Sequence, residues 1–204
     1  MIEYYELHPK NPQIRFINKA VETLKAGGVI IYPTDTIYGL GCDIFNKEAV
    51  ERIYRIKNET DTKLFSFLCP DLKDISKYAK VSDFAYKSMK KLLPGPYTFV
   101  LPAAKEVPKK LWTKRKTVGI RIPDNDISRT LARELGNPII STSATTRKGE
   151  LIFEPLEIRS VFSTTVDLML SMGALNGNPS SIIDLSGEEI EIIREGSGDT
   201  SIFQ

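Results

Sequence analysis

Residues 32–42 read Tyr32-Pro33-Thr34-Asp35-Thr36-Ile37-Tyr38-Gly39-Leu40-Gly41-Cys42, a hydroxyl-rich stretch with one carboxylate and two glycines directly behind a short β-branched run. A loop at the end of a buried strand is where an α/β sheet presents amides and hydroxyls to polar ligand groups. The same residue types also close tight turns on their own backbone, and composition alone leaves both readings open. A second candidate is Arg121. In Thr117-Val118-Gly119-Ile120-Arg121-Ile122 the alternation puts Val118, Ile120 and Ile122 on one face and Arg121 on the other. The alternation alone leaves that face open, to solvent or to a site. A third candidate is the basic run Lys105, Lys109, Lys110, Lys114, Arg115 and Lys116, opposed by Glu106 and enclosing the sole tryptophan, Trp112. Clustered cations bind phosphate backbones without regard to sequence, and Trp112 either stacks on a base or anchors a solvated loop in the core.

The elements that must position these groups follow from periodicity. Asn11-Pro12 suits a helix start, and Ile14, Ile17, Val21 and Leu24 recur at helical spacing up to Gly27-Gly28, which predicts a helix over 12–26. Val29-Ile30-Ile31-Tyr32 predicts a buried strand, with 33–41 a loop behind it. Ala49, Val50, Ile53 and Ile56 mark a second helix, and 64–69 a second strand. Ser82 or Asp83 opens a third helix that stops at Pro94-Gly95-Pro96. Strands over 97–101 and 117–122, a helix over 126–135, a strand over 138–143 and a helix near 154–162 follow, with strands near 166–170, 181–185 and 189–194. Helices alternating with strands, and consecutive strands near the end, predict an α/β fold: a twisted mixed sheet flanked by helices.

A chain of 204 residues with 41% apolar and 26% charged residues fits one globular domain over 1–204 around one core, and excludes disordered and membrane classes. The first residues are acidic and lead into no apolar run, so export is not expected. No apolar stretch approaches the roughly 20 residues that span a bilayer, which predicts a cytoplasmic protein with no membrane partner. Cys42 and Cys69 sit in or beside apolar strand-like segments, as reduced core thiols do. The net charge of +2 says little about partners.

The Pro-Thr-Asp-Thr-x-Tyr-Gly-Leu-Gly loop at 33–41 resembles the signature of the YrdC/YciO family. Pro94-Gly95-Pro96-Tyr97-Thr98, Gly119-Ile120-Arg121-Ile122-Pro123 and Ser141-Thr142-Ser143-Ala144 are similar to further family motifs, as are Pro179-Ser180-Ser181-Ile182-Ile183-Asp184 and Ile193-Arg194-Glu195-Gly196. The resemblance implies an open α/β domain with a central, positively lined cleft. It also implies an activity: L-threonine, bicarbonate and ATP, the last with Mg²⁺, give threonylcarbamoyl-AMP and pyrophosphate for tRNA modification. By resemblance, Thr36, Arg121, Ser141 and Ser181 contact threonine, and Lys57, Thr117, Ser143 and Arg194 the nucleotide. Thr36, Lys57 and Arg121 are then the catalytic set. The family's described affinity for double-stranded RNA would fall on Lys109, Lys110, Lys114, Arg115 and Lys116.

Three positions depart from the synthase pattern. Glu59 stands where the family's Lys-x-Arg has arginine, Thr145 where it has asparagine, and Leu68 where the next strand carries histidine. Glu for Arg reverses the sign of a group expected beside phosphates, implying a weaker hold on a triphosphate, with Lys63 as a compensating cation. Together with Lys-Arg-Lys-Thr-hydrophobic-Gly at 114–119, these departures are closer to the YciO branch. Three functions follow: synthesis of threonylcarbamoyl-AMP, hydrolysis or handling of such an adenylate or an AMP-type ligand, and RNA binding beside a vestigial cleft.

Overall fold

The computed structural model describes residues 2–59, 65–108 and 116–203. Ten strands form one sheet: β1 (Glu3–Glu6), β2 (Ile30–Tyr32), β3 (Gly39–Asp43), β4 (Ser66–Leu68), β5 (Tyr97–Pro102), β6 (Thr117–Arg121), β7 (Ile139–Ser143), β8 (Leu168–Ser171), β9 (Ser181–Asp184) and β10 (Glu191–Arg194). Their order is β1-β8-β2-β3-β7-β4-β6-β5-β9-β10. Pairing is mixed: β8 runs parallel to β1 and β2, β4 to β6 and β5 to β9, while β7 is antiparallel to β3 and β4. Five helices flank it: α1 (Ile14–Lys25), α2 (Lys47–Lys57), α3 (Asp83–Leu92), α4 (Asp126–Leu135) and α5 (Pro155–Phe162).

Strand alternation divides the apolar residues between the two faces. On one face Leu40, Cys42, Phe67, Phe99, Ile120 and Ile140 pack with Val50, Ile53, Met89, Ile158 and Phe162 of α2, α3 and α5. On the other, Ile30, Tyr32, Leu68, Ile139, Leu168 and Leu170 pack with Ile17, Val21, Leu24, Ile127 and Leu131 of α1 and α4. Instead of the one core expected from length, the sheet separates two clusters. The second contains no residue of β5, β6 or β9. From β7 to β5, the same face of the sheet carries Ser66, Thr98, Gly119, Ser141 and Ser143 instead, and this region becomes the site.

Local signals place most element ends. Asn46, Ser82 and Asn125 accept backbone N–H bonds from Ala49, Ala85 and Ser128 at the starts of α2, α3 and α4, each such cap contributing about 1 kcal/mol. Gly136 closes α4 with a left-handed φ of 81°. The first helix differs from expectation: Gln13 is its N-cap without a side-chain bond, and Asn11-Pro12 precedes it. Two strands are additional. β1 is an edge strand without an apolar alternation. β3 occupies part of the stretch expected as loop, because Gly39 and Gly41, ordinarily strand-weakening, are strand residues here. No helix among the described residues is long and apolar enough to cross a membrane.

Candidate active site

A cavity of about 310 Å³ opens on the sheet face that α1 and α4 leave bare. Ser66, Thr98, Ser141 and Ser143 supply its hydroxyl wall, and Lys57, Arg121 and Arg194 supply cations from three separate elements. Gly119 lets Ser66 and Thr98 approach each other across β6, since a Cβ there would stand 3.1 Å from Thr98 Cγ2 and 3.4 Å from Ser66 Cα. Thr145, Gly149 and Leu151 overhang from the segment after β7.

Arg121 ends β6, opposite Thr98 on β5 and Leu68 on β4. It is only 7% exposed, so it is a buried cation rather than a solvent-facing strand residue. Its Nη2 donates to Thr36 Oγ1 at 2.6 Å, Asp35 Oδ1 at 2.9 Å and Thr34 Oγ1 at 3.1 Å. Asp35 also accepts from Asp124 N at 3.1 Å, which ties the loop to the start of the α4 region. The Pro33–Tyr38 loop therefore closes on itself, with Thr34 Oγ1 donating to Ile37 O and accepting from Thr36 N, and at the same time holds Arg121. The self-closing reading of this loop is realised, and its remaining hydroxyls and carboxylate go to Arg121 rather than to the cavity. The Nε of Arg121 is buried and has no partner, which leaves an N–H donor for an added acceptor.

Arg194 turns its guanidinium onto the Ser180 carbonyl, at 3.0 Å from Nε and 2.7 Å from Nη2. Burial, and then the charge of Arg121, pull its pKa below the ordinary arginine value. Such a lowering means that an anion between the two guanidiniums would relieve an existing electrostatic cost. Lys57, at the C-terminal end of α2, donates to Ser143 O at 3.1 Å, to Thr145 O at 3.5 Å and to the Thr145 hydroxyl. Thr98 and Ser180 share a hydroxyl bond of 2.9 Å, and Ser66 Oγ donates to Ser141 O at 3.1 Å.

The family model described as "Telomere recombination", Sua5_yciO_yrdC, matches residues 22–196. The chain belongs to the Sua5/YciO/YrdC family. It is 43% identical over 205 residues to the Escherichia coli protein YciO, covering all of both chains. An uncharacterized Haemophilus influenzae protein is 45% identical over 206 residues, again at full coverage of both. A Coxiella burnetii threonylcarbamoyl-AMP synthase is 35% identical over 158 residues, covering 76% of this chain and 83% of its own. The crystal structure of E. coli YciO superposes over 100% of both chains with a TM-score of 0.95 at 43% identity. Pyrococcus abyssi Sua5, solved in complex with L-threonine, shares the fold with a TM-score of 0.87 at 24% identity, covering 96% of this chain and 57% of that one.

Of the residues singled out from this family's motifs, Lys57, Arg121, Ser141, Ser143 and Arg194 line one cavity. Others sit elsewhere. Thr36 reaches the site only through Arg121. Thr117 shares the β6 face with Arg121 but lies outside the lining. Ser181 points to the opposite face, where its hydroxyl donates to Gly198 O at 2.6 Å and accepts from Gly196 N at 2.9 Å, so it fastens the C-terminal segment. Its neighbour Ser180 is the serine on the cavity side. Glu59, just past the αL C-cap Asn58, is half-buried and outside the lining, whereas Thr145 lies in it. Leu68 is fully buried under α4 with Ile139 and Leu131, closing that end of the sheet face with hydrocarbon. Lys63, Lys109, Lys110, Trp112, Lys114 and Arg115 lie outside the described residues; Lys116 is exposed with φ of 55°. Sequence reasoning missed Ser66, Ser180 and the Arg121–Asp35 pair. The first was legible in the alternation of 64–69, and the pair was not, because it joins residues far apart in sequence.

Proposed function

We propose that this cavity is a threonylcarbamoyl-adenylate site and that the chain is a threonylcarbamoyl-AMP synthase-like nucleotidyltransferase supplying tRNA threonylcarbamoyl modification. The observation that carries it is the convergence of Lys57, Arg121 and Arg194 on one hydroxyl-walled cavity whose described lining contains no carboxylate. The threonine amine attacks the bicarbonate carbon and a water leaves, giving a carbamate whose oxygen attacks the α-phosphorus of ATP while pyrophosphate leaves. Anions meet at both steps, and fixed cations and donors lower the barrier to that approach. Arg121, with its buried Nε unpaired, takes the threonine carboxylate, with Ser141 beside it, and Ser143 lies on the nucleotide side. Arg194 and Lys57 face the phosphate. With hydroxyls and cations as lining, magnesium is assigned to ATP as part of the Mg·ATP substrate, not to protein ligands. The L-threonine complex of the similarly folded Sua5 supports the amino-acid half of this reading.

One observation favours a second use of the same site. Lys57 already donates to the Ser143 and Thr145 carbonyls and to the Thr145 hydroxyl, so a polyphosphate must displace them. A single phosphate, as in an acyl-adenylate, can instead sit between Arg121 and Arg194. Hydrolysis or handling of the adenylate is the reading that follows. Incubation with ATP, L-threonine, bicarbonate and Mg²⁺ separates the two: threonine-dependent pyrophosphate release supports synthesis, whereas AMP released only from supplied threonylcarbamoyl-AMP supports hydrolysis. If neither appears, both are wrong.

A further inference from the structure

Tyr32 is the last residue of β2, is fully buried, and belongs to the apolar cluster under α1 and α4. Yet its hydroxyl donates to Ser141 Oγ on β7, at 2.7 Å. In the sheet order β2 and β7 are separated by β3, so the ring spans two strand spacings, about 9–10 Å. It does so by lying across the two glycines of β3 that share its face. A Cβ on Gly39 would stand 2.8 Å from Tyr32 Cε2, and one on Gly41 3.0 Å from Tyr32 Cε1. Gly39 therefore keeps a lane clear for this ring, and Gly41 continues it while also admitting Ile140 O, on which its Cβ would press; Leu40 lies in the opposite core.

The lane has a chemical consequence. Ser141 Oγ accepts from Tyr32, and no described group accepts the Ser141 hydroxyl proton. Ser141 is 3% exposed and lines the cavity on the sheet face that carries Arg121. We propose that Tyr32 is a positioning residue: by occupying one lone pair of Ser141 Oγ, it turns the Ser141 O–H into a fixed donor aimed at an acceptor oxygen of the cavity ligand beside Arg121. Burial holds the phenol in its neutral, donating form by raising its pKa, outweighing the Ser141 bond and the Arg121 charge, which lower it. A donor fixed in advance loses no rotational freedom when ligand arrives, so the hydroxyl acts before the ligand does.

This inference rests on the adenylate reading for the identity of the ligand, and the test separates the two. Tyr32→Phe keeps the ring in its lane and removes the hydroxyl alone. Titrated with threonylcarbamoyl-AMP in a calorimeter, Tyr32→Phe should bind about 3- to 10-fold more weakly, the loss of one oriented neutral hydrogen bond. The double variant Tyr32→Phe/Ser141→Ala should bind no more weakly than Ser141→Ala, because Tyr32 acts through Ser141. Unchanged affinity in Tyr32→Phe, or full additivity in the double variant, overturns the positioning role. A wild-type protein that does not bind the ligand overturns the adenylate reading alone. In that event the crystal structure of Tyr32→Phe decides the inference. A released Ser141 that occupies more than one rotamer supports it, and a single unchanged rotamer overturns it.

Discussion

At the residue scale the site depends on Arg121 and what holds it. The side chains of Arg121 and Asp35 are each only 9% exposed, and an ion pair so buried becomes costly when one partner is removed. Asp35→Ala should lower unfolding free energy by about 3 kcal/mol in urea titration, since it leaves a guanidinium without its counter-charge. Arg121→Lys keeps the charge but cannot serve Thr34, Asp35, Thr36 and a ligand together. We expect it to weaken L-threonine binding by about 1.5–3 kcal/mol, with the fold intact by circular dichroism. Equal affinity for both proteins would remove Arg121 from the amino-acid site. The pair also explains why the Pro33–Tyr38 loop, rich in hydroxyls, presents none of them directly to the cavity.

At the element scale, most of the fold was legible in the sequence because periodicity and caps are local. Helix α4 occupies the range its pattern predicted, 126–135, and Asn125 and Gly136 close it. What was illegible is non-local. β3 reads as loop since its two glycines remove the apolar alternation; the Tyr32 ring crossing over Gly39, and the approach of the β7 backbone to Gly41, explain their presence. Ser181 and Ser180 are one residue apart, and a register shift of one residue exchanges the faces of a strand. The motif named the first, whereas the pairing of Thr98 with Ile182 puts Ser180 on the cavity side. Gly39→Ala tests this geometry, because the nearest atoms its Cβ would meet, at 2.8–3.1 Å, all belong to Tyr32. Overpacking of that kind should cost about 1–3 kcal/mol by urea titration. A neutral Gly39→Ala would mean that the lane is not required.

At the scale of the whole molecule, a single sheet packs a layer of α2, α3 and α5 on one face and α1 and α4 on part of the other, and the remainder of that second face carries the cavity. The thiols on the packed side report on that layer. Burial, with the charge of Asp71 adding to it, pushes the Cys69 thiol up to about 12, and burial likewise raises Cys42. A thiol pKa raised in the folded state contributes stability below its unfolded value and loses it as pH rises towards the folded value. Urea midpoints should therefore fall between pH 9 and 12, and a Cys42→Ala/Cys69→Ala protein should show a smaller decline. The open side is tested most directly by a calorimetric titration of threonylcarbamoyl-AMP into the wild-type protein and into Arg194→Ala. The cavity as described predicts one binding site per chain and at least tenfold weaker binding when the Arg194 guanidinium is removed, the scale of a lost charge-assisted hydrogen bond. No binding to the wild-type protein, or equal binding to both, would contradict the assignment of this cavity to adenylate chemistry.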